Sequence, residues 1–231
     1  GYFYGGKRLA EAIHENLGNI KLVISLREPV SRLVSDWRFR RSILTISNDM
    51  SLEAYVDYCL NIDEDRLVDP QYHMYWGFHG GLYMDFLPDW IDEFGPDNVR
   101  VLFLDQLKVD RTDVLIGLAK WLGVDPNGYN LEDMIVEHRT VGYKNVMLQK
   151  LALKTNDQLA TLWRRYPALK RSLREIYYAV NGKAADKPGK EHSDILAQLH
   201  DQYAPYNTRL FEYLTNLGYT ELPKWLKPEN A

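Results

Sequence analysis

The segment from Lys21 to Arg41, KLVISLREPVSRLVSDWRFRR, constrains the fold of this chain more than any other. Leu22 to Leu26 is a short apolar run, the pattern of a buried strand. Arg27 and Glu28 follow, and Pro29 stands where a first helical residue belongs. Val30, Leu33, Val34 and Trp37 then recur at helical spacing, so a helix packs back on the strand. A strand ending in Arg and turning directly into a helix sets a cation beside the positive end of a helix dipole. That is an anion site, with phosphate the best chemical match. The residues alone leave a plainer reading open, in which Arg27 only pairs with a neighbouring carboxylate.

The rest of the pattern extends this strand–helix unit. Val99 to Leu104 is nearly continuous in apolar residues, as in a strand covered on both faces. Helices are expected over Lys7 to Leu17, ended by Gly18-Asn19, over Leu52 to Leu60 with Ser51 as N-cap, and over Thr112 to Leu122, ended by Gly123. A final helix carries Ile195, Leu196, Leu199, Tyr203, Leu210, Tyr213 and Leu214. Ser42 to Met50, Asn61 to Gln71 and Asn181 to Lys190 read as loops. Two strands joined through helical chain predict a right-handed parallel unit. The expected class is α/β, a mostly parallel central sheet flanked by helices, with a helical C-terminal portion from Leu151 onward. At 231 residues, 45% of them hydrophobic, the chain supports one sizeable domain.

Composition excludes several functions. A net charge of −4 and a pI near 5.9 are not those of a general nucleic-acid binder. No apolar run approaches a membrane span. Cys59 is alone, so no intrachain disulfide exists, and a reducing, cytoplasmic location is expected. With Gly1 rather than Met at the start, an upstream signal or anchor stays open. His73 and His79 lie in the aromatic stretch YHMYWGFHGGLY, Tyr72 to Tyr83, without further ligands at metal spacing, so no metal is expected. Those aromatics suit either stacking on an acceptor ring or core packing.

The spacing Arg27, Pro29, Arg32, Ser35 after a strand, R-x-P-x-x-R-x-x-S, resembles the 3′-phosphate-binding segment of sulfotransferases that use 3′-phosphoadenosine 5′-phosphosulfate (PAPS). The resemblance implies that Arg27 and Ser35 hold the 3′-phosphate, one through a planar fork of donors and the other through a neutral hydroxyl. Arg32 is expected in a structural ion pair. Gly81-Leu82-Tyr83 with Leu87 and Trp90 is similar to the family's G-x-Y-x-x-x-L-x-x-W helix, whose Gly-Tyr lies near the active-site mouth. Asp105-Gln106-Leu107 and Trp121-Leu122-Gly123 resemble a further family segment. Leu104 stands where the small-molecule branch often has Tyr beside the adenine, which favours the carbohydrate, heparan-sulfate-type branch. Tyr203 to Asn207, Arg209-Leu210 and Leu222 to Trp225 resemble the C-terminal helix of that branch. The family closes a late basic loop over the 3′-phosphate. Here Arg139 and Lys144, with Gly142 between them, are the candidates, and a solvated basic loop is the alternative.

The resemblance implies a P-loop-like three-layer domain that moves a sulfuryl group from PAPS to an acceptor hydroxyl or amine, of a carbohydrate or small molecule, releasing adenosine 3′,5′-bisphosphate. It implies a nucleotide cosubstrate and an acceptor as partners. No K-x-G-[ST] loop for the 5′-phosphosulfate occurs, and Tyr2-Phe3 look like the tail of the segment that carries the family's catalytic Glu. The expectation is one sulfotransferase domain over residues 1–231, N-terminally truncated, with a nucleotide-binding part at 1–150 and a helical part at 151–231. Its catalytic base would then precede Gly1. A kinase-like phosphoryl transferase and a non-catalytic nucleotide- or glycan-binding module are the alternatives. The basic region Trp163 to Lys190 suits an anionic acceptor or, equally, the solvated faces of amphipathic helices.

Overall fold

The computed structural model describes residues 2–128, 141–184, 189 and 192–227. After a 3₁₀ turn, Tyr2–Gly5, come α1 (Gly6–Leu17), β1 (Leu22–Leu26), α2 (Pro29–Ser42), α3 (Leu52–Asn61) and the single turn α4 (Glu64–Leu67). Next are α5 (Leu87–Phe94), β2 (Val99–Phe103), α6 (Leu104–Val109) and α7 (Arg111–Leu122). Then follow β3 (Val141–Tyr143), α8 (Val146–Gln158), α9 (Ala160–Arg165), α10 (Pro167–Asn181), β4 (Gly182–Ala184) and α11 (Ser193–Asn216). The protein is mostly helical with a small parallel sheet. Among the described residues, no helix is long and apolar enough to cross a membrane.

The expected starts and stops have physical counterparts. Pro29 opens α2 without needing an amide donor there. The Ser51 side chain accepts from the Ala54 N–H at the start of α3. Gly123 ends α7 at φ +81°, in the left-handed region where a Cβ is strained. Two departures stand out. Val141 to Tyr143, expected in a loop, and Gly182 to Ala184, expected outside any strand, pair as antiparallel strands. Each is only three residues long, too short to show alternation. Leu104, expected to end β2, instead begins α6.

The chain divides into two compact units. The first holds Gly1–Arg32, Phe78–Ile135 and Leu196–Ala231. In it β1 and β2 run parallel, from Leu22 opposite Val99 to Leu26 opposite Phe103. β2 is buried along almost all its length. β1 alternates instead, with Ile24 and Leu26 inward and Val23 43% exposed. Leu26, Phe103, Leu87, Trp90, Phe94, Leu210 and Leu214 build the core, and Ala10 of α1 joins it. Trp90 Nε1 donates to the Phe3 carbonyl at 2.8 Å, which ties the aromatic N-terminal turn to α5.

The second unit holds Leu33–Gly77 and Val136–Ile195. Leu33, Val34, Trp37, Leu52, Tyr55, Val56 and Cys59 are its buried apolar residues. The Tyr55 hydroxyl lies 2.7 Å from Asp36 Oδ2 and 2.8 Å from the Met74 carbonyl, and its proton serves one at a time. Burial pushes the Tyr55 phenol far up, and the nearby Cys59 and Asp36 add to this. Elsewhere in the unit, His192 Nδ1 lies 2.5 Å from Glu53 Oε1. That contact holds the Glu53 carboxyl below its ordinary 4.5. A depressed carboxyl contributes stability above its unfolded pKa and loses it as pH falls through the folded value. Thermal melts should therefore show a small acid-side loss below about pH 4.5 that Glu53→Gln removes, small because Glu53 is half exposed. Identical acid profiles for the two proteins would count against the pair.

Candidate functional site

The site begins at the end of β1. Arg27 leaves the strand half-buried, and its backbone is held from across the unit by Tyr83. The Tyr83 hydroxyl donates to the Arg27 carbonyl at 2.6 Å and accepts from the Arg27 N–H at 3.4 Å. Burial raises the Tyr83 phenol, while the Arg32 cation pulls the other way, so it stays a donor at neutral pH. The Arg27 Nε is buried, and among the described residues no acceptor meets it. A buried guanidinium N–H with no acceptor costs about 1–3 kcal/mol, and an anion at that place would remove the penalty.

The helix that follows departs from the sequence expectation. The first amides of α2 were expected to face an anion brought from outside. Glu28 already fills that role. Its Oε1 accepts from the Val30 N–H at 2.9 Å and its Oε2 from the Ser31 N–H at 2.6 Å. A carboxylate at a helix N-terminus satisfies orphan donors and complements the dipole. His200 of α11 faces the same carboxylate at 3.9 Å. The Val30 and Ser31 amides therefore already have an acceptor within the chain.

Gly80 and Gly81 make the neighbouring turn possible, each for a different reason. A Cβ on Gly80 would collide with the Arg32 guanidinium. Arg32, expected in a structural ion pair, thus lies against this glycine. A Cβ on Gly81 would come within 2.7 Å of the Tyr203 ring. Tyr203 stacks on Phe78 with centroids 4.8 Å apart and donates to the Phe78 carbonyl at 2.8 Å. Tyr4 donates to the Gly80 carbonyl at 2.9 Å. Phe78 and Tyr83 are both buried, so in this part of the aromatic stretch packing accounts for the rings.

The other predicted residues are placed less closely. The division between the two units falls inside α2, after Arg32, so Arg27 belongs to the first and Ser35 and Lys144 to the second. The three predicted ligands among the described residues are not gathered within one unit. Ser35 is half-buried in the second turn of α2. The Lys144 side chain is exposed. Its N–H donates to the Asn181 carbonyl at 2.8 Å, and the Asn181 amide accepts from the Asn145 N–H at 2.7 Å. Asn181, only 1% exposed, fixes the backbone that carries Lys144. Arg139 and His138 lie outside the described residues. Among the described residues, no group of three or more His, Cys, Asp or Glu side chains could hold a metal ion.

Sequence reasoning missed Glu28, and although the resemblance set Tyr83 near the active-site mouth, it did not reveal the hydrogen bond from Tyr83 to Arg27. Tyr83 stands 56 residues from Arg27, and nothing local links them. Tyr83→Phe keeps the ring and removes the donor. If Tyr83 positions Arg27, the affinity for adenosine 3′,5′-bisphosphate should fall by about 1 kcal/mol, with that for adenosine 5′-phosphate unchanged. Calorimetry with both nucleotides checks this. Equal losses for the two would assign Tyr83 a general structural role.

Comparison with known proteins places the chain among relatives. A family model described as the sulfotransferase domain matches residues 9–165. The bifunctional heparan sulfate N-deacetylase/N-sulfotransferase of Drosophila melanogaster is 23% identical over 235 residues. That alignment covers 98% of this chain and 19% of the fly protein, so the chain spans about a fifth of its relative's length. The crystal structure of a sulfotransferase from Alicyclobacillus acidocaldarius superposes with a TM-score of 0.49 at 20% identity, over 71% of this chain and 60% of that one.

Proposed function

From the fact that this chain belongs to the sulfotransferase family, whose domain model covers residues 9–165, we propose that it transfers a sulfuryl group from PAPS to an acceptor amine or hydroxyl. The observation that carries the donor assignment is the buried Arg27 Nε, which meets no acceptor among the described residues. PAPS supplies the sulfuryl group and leaves as adenosine 3′,5′-bisphosphate. The 3′-phosphate is a dianion, and the Arg27 guanidinium offers it a planar, always-charged fork. Ser35 would add a hydroxyl from α2. Arg139 and Lys144 would add charge from the basic loop. Transfer also needs a base on the acceptor, and none of the described residues is assigned to it.

The acceptor is proposed to be a carbohydrate. Support comes from the fly relative, whose name states N-sulfotransfer and heparan sulfate. The proposed architecture is one sulfotransferase domain over residues 1–231 with a three-layer arrangement, and the β1–β2 parallel pair supports its sheet. A titration against two nucleotides tests the reading. Adenosine 3′,5′-bisphosphate should bind more tightly than adenosine 5′-phosphate by roughly 2–3 kcal/mol, the scale of a charge-assisted pair to a half-buried cation. Equal affinities would discard 3′-phosphate recognition and favour phosphoryl transfer.

A further inference from the structure

Among the described residues, most of the exposed large hydrophobic side chains belong to the second unit. Of the 21 exposed large hydrophobic residues among the described residues, 12 fall between Val146 and Val180. In α10, Leu169, Leu173, Ile176 and Val180 follow one another at spacings of four, three and four, so they form one stripe along the helix. All four are exposed, Ile176 at 62% and Val180 at 63%. The helix is anchored at its C-terminal end, where the Tyr177 hydroxyl donates to Gln149 Oε1 and the Asn181 amide donates to Tyr177. Its first three turns are exposed all round.

Charge decides what such a stripe fits. From Ala160 to Asn181 the chain carries Arg164, Arg165, Lys170, Arg171 and Arg174 against the single acid Glu175, in a protein of net charge −4. Lys170 and Arg174 each follow a stripe leucine by one position, so they border the apolar face on one side. Tyr166 and Tyr178 add amphipathic rings at either end, both exposed. A second copy of this face would bring the cations Lys170 and Arg174 against like charges. A free polyanion would engage the cations and leave the leucines in water. An anionic bilayer covers both, with the apolar face in the acyl boundary and the cations at the headgroups. The helix also lies beyond residues 9–165, so it is not part of the matched domain.

We propose that α10, with the adjoining α9, is a peripheral docking face for anionic lipid bilayers. It lies on the surface without spanning, and it does not depend on the sulfuryl-transfer reading. Flotation with lipid vesicles tests it. The chain should float with phosphatidylcholine vesicles that contain about a third phosphatidylserine, and not with phosphatidylcholine alone. Ile176→Glu should weaken flotation by at least about tenfold, since it places a charge at the acyl boundary, and should leave the melting temperature unchanged because the side chain is exposed. The double variant Lys170→Glu, Arg174→Glu should weaken it similarly. Absence of flotation, or equal flotation with neutral vesicles, would overturn the proposal. So would undiminished flotation of Ile176→Glu, which would leave only a charge contact. A dimer in sedimentation velocity that Ile176→Glu dissolves would show that a second copy covers the stripe instead.

Discussion

Tyr203→Ala is expected to lower the free energy of unfolding by about 3–5 kcal/mol, the range for truncating a buried aromatic. Tyr203 is 0% exposed. Its ring stacks on Phe78, and the absence of a side chain at Gly81 leaves it room. Truncation opens a cavity at that contact and removes one of two donors to the Phe78 carbonyl, which keeps the Gly81 N–H. Neighbours relax only partly into such a space, because interiors are close-packed. Tyr203→Phe keeps the ring and loses only the hydrogen bond, so it should cost about 1 kcal/mol. Urea denaturation of both variants separates the two contributions. A Tyr203→Ala protein as stable as wild type would refute the packing described for this turn.

Arg27→Ala should weaken binding of adenosine 3′,5′-bisphosphate by roughly 2–3 kcal/mol. The loss should fall on binding and not on folding. The Arg27 backbone, not its side chain, makes the hydrogen bonds to Tyr83, and alanine retains them. Removing a buried guanidinium N–H that lacks an acceptor also relieves a desolvation penalty. Arg27→Lys should be intermediate, since lysine keeps the charge but not the fork. Calorimetry checks the series, and equal affinity for all three proteins would remove Arg27 from the site.

The local parts of this structure were legible. β1 shows in the sequence because an apolar run stops at Arg27-Glu28-Pro29, and Pro29 marks the helix start by its fixed φ. Ser51 and Gly123 mark a beginning and an end through capping chemistry that needs only near neighbours. Gly80-Gly81 read as a tight turn or a close approach, and the structure shows close approach, to Arg32 and Tyr203. Long-range features were not legible. β3 and β4 are three residues each and come together some forty residues apart, around the buried Asn181. The cap from Glu28 depends on a side-chain conformation that no spacing reveals. The two units interleave along the chain, and two of their four boundaries fall inside α2 and α11, where no linker composition announces them.

The most direct test is a crystal structure with adenosine 3′,5′-bisphosphate bound. The account predicts a 3′-phosphate oxygen within about 3 Å of Arg27 Nε, with the Glu28 carboxylate still capping α2. A nucleotide whose 3′-phosphate lies elsewhere, with the Arg27 guanidinium untouched, would contradict it.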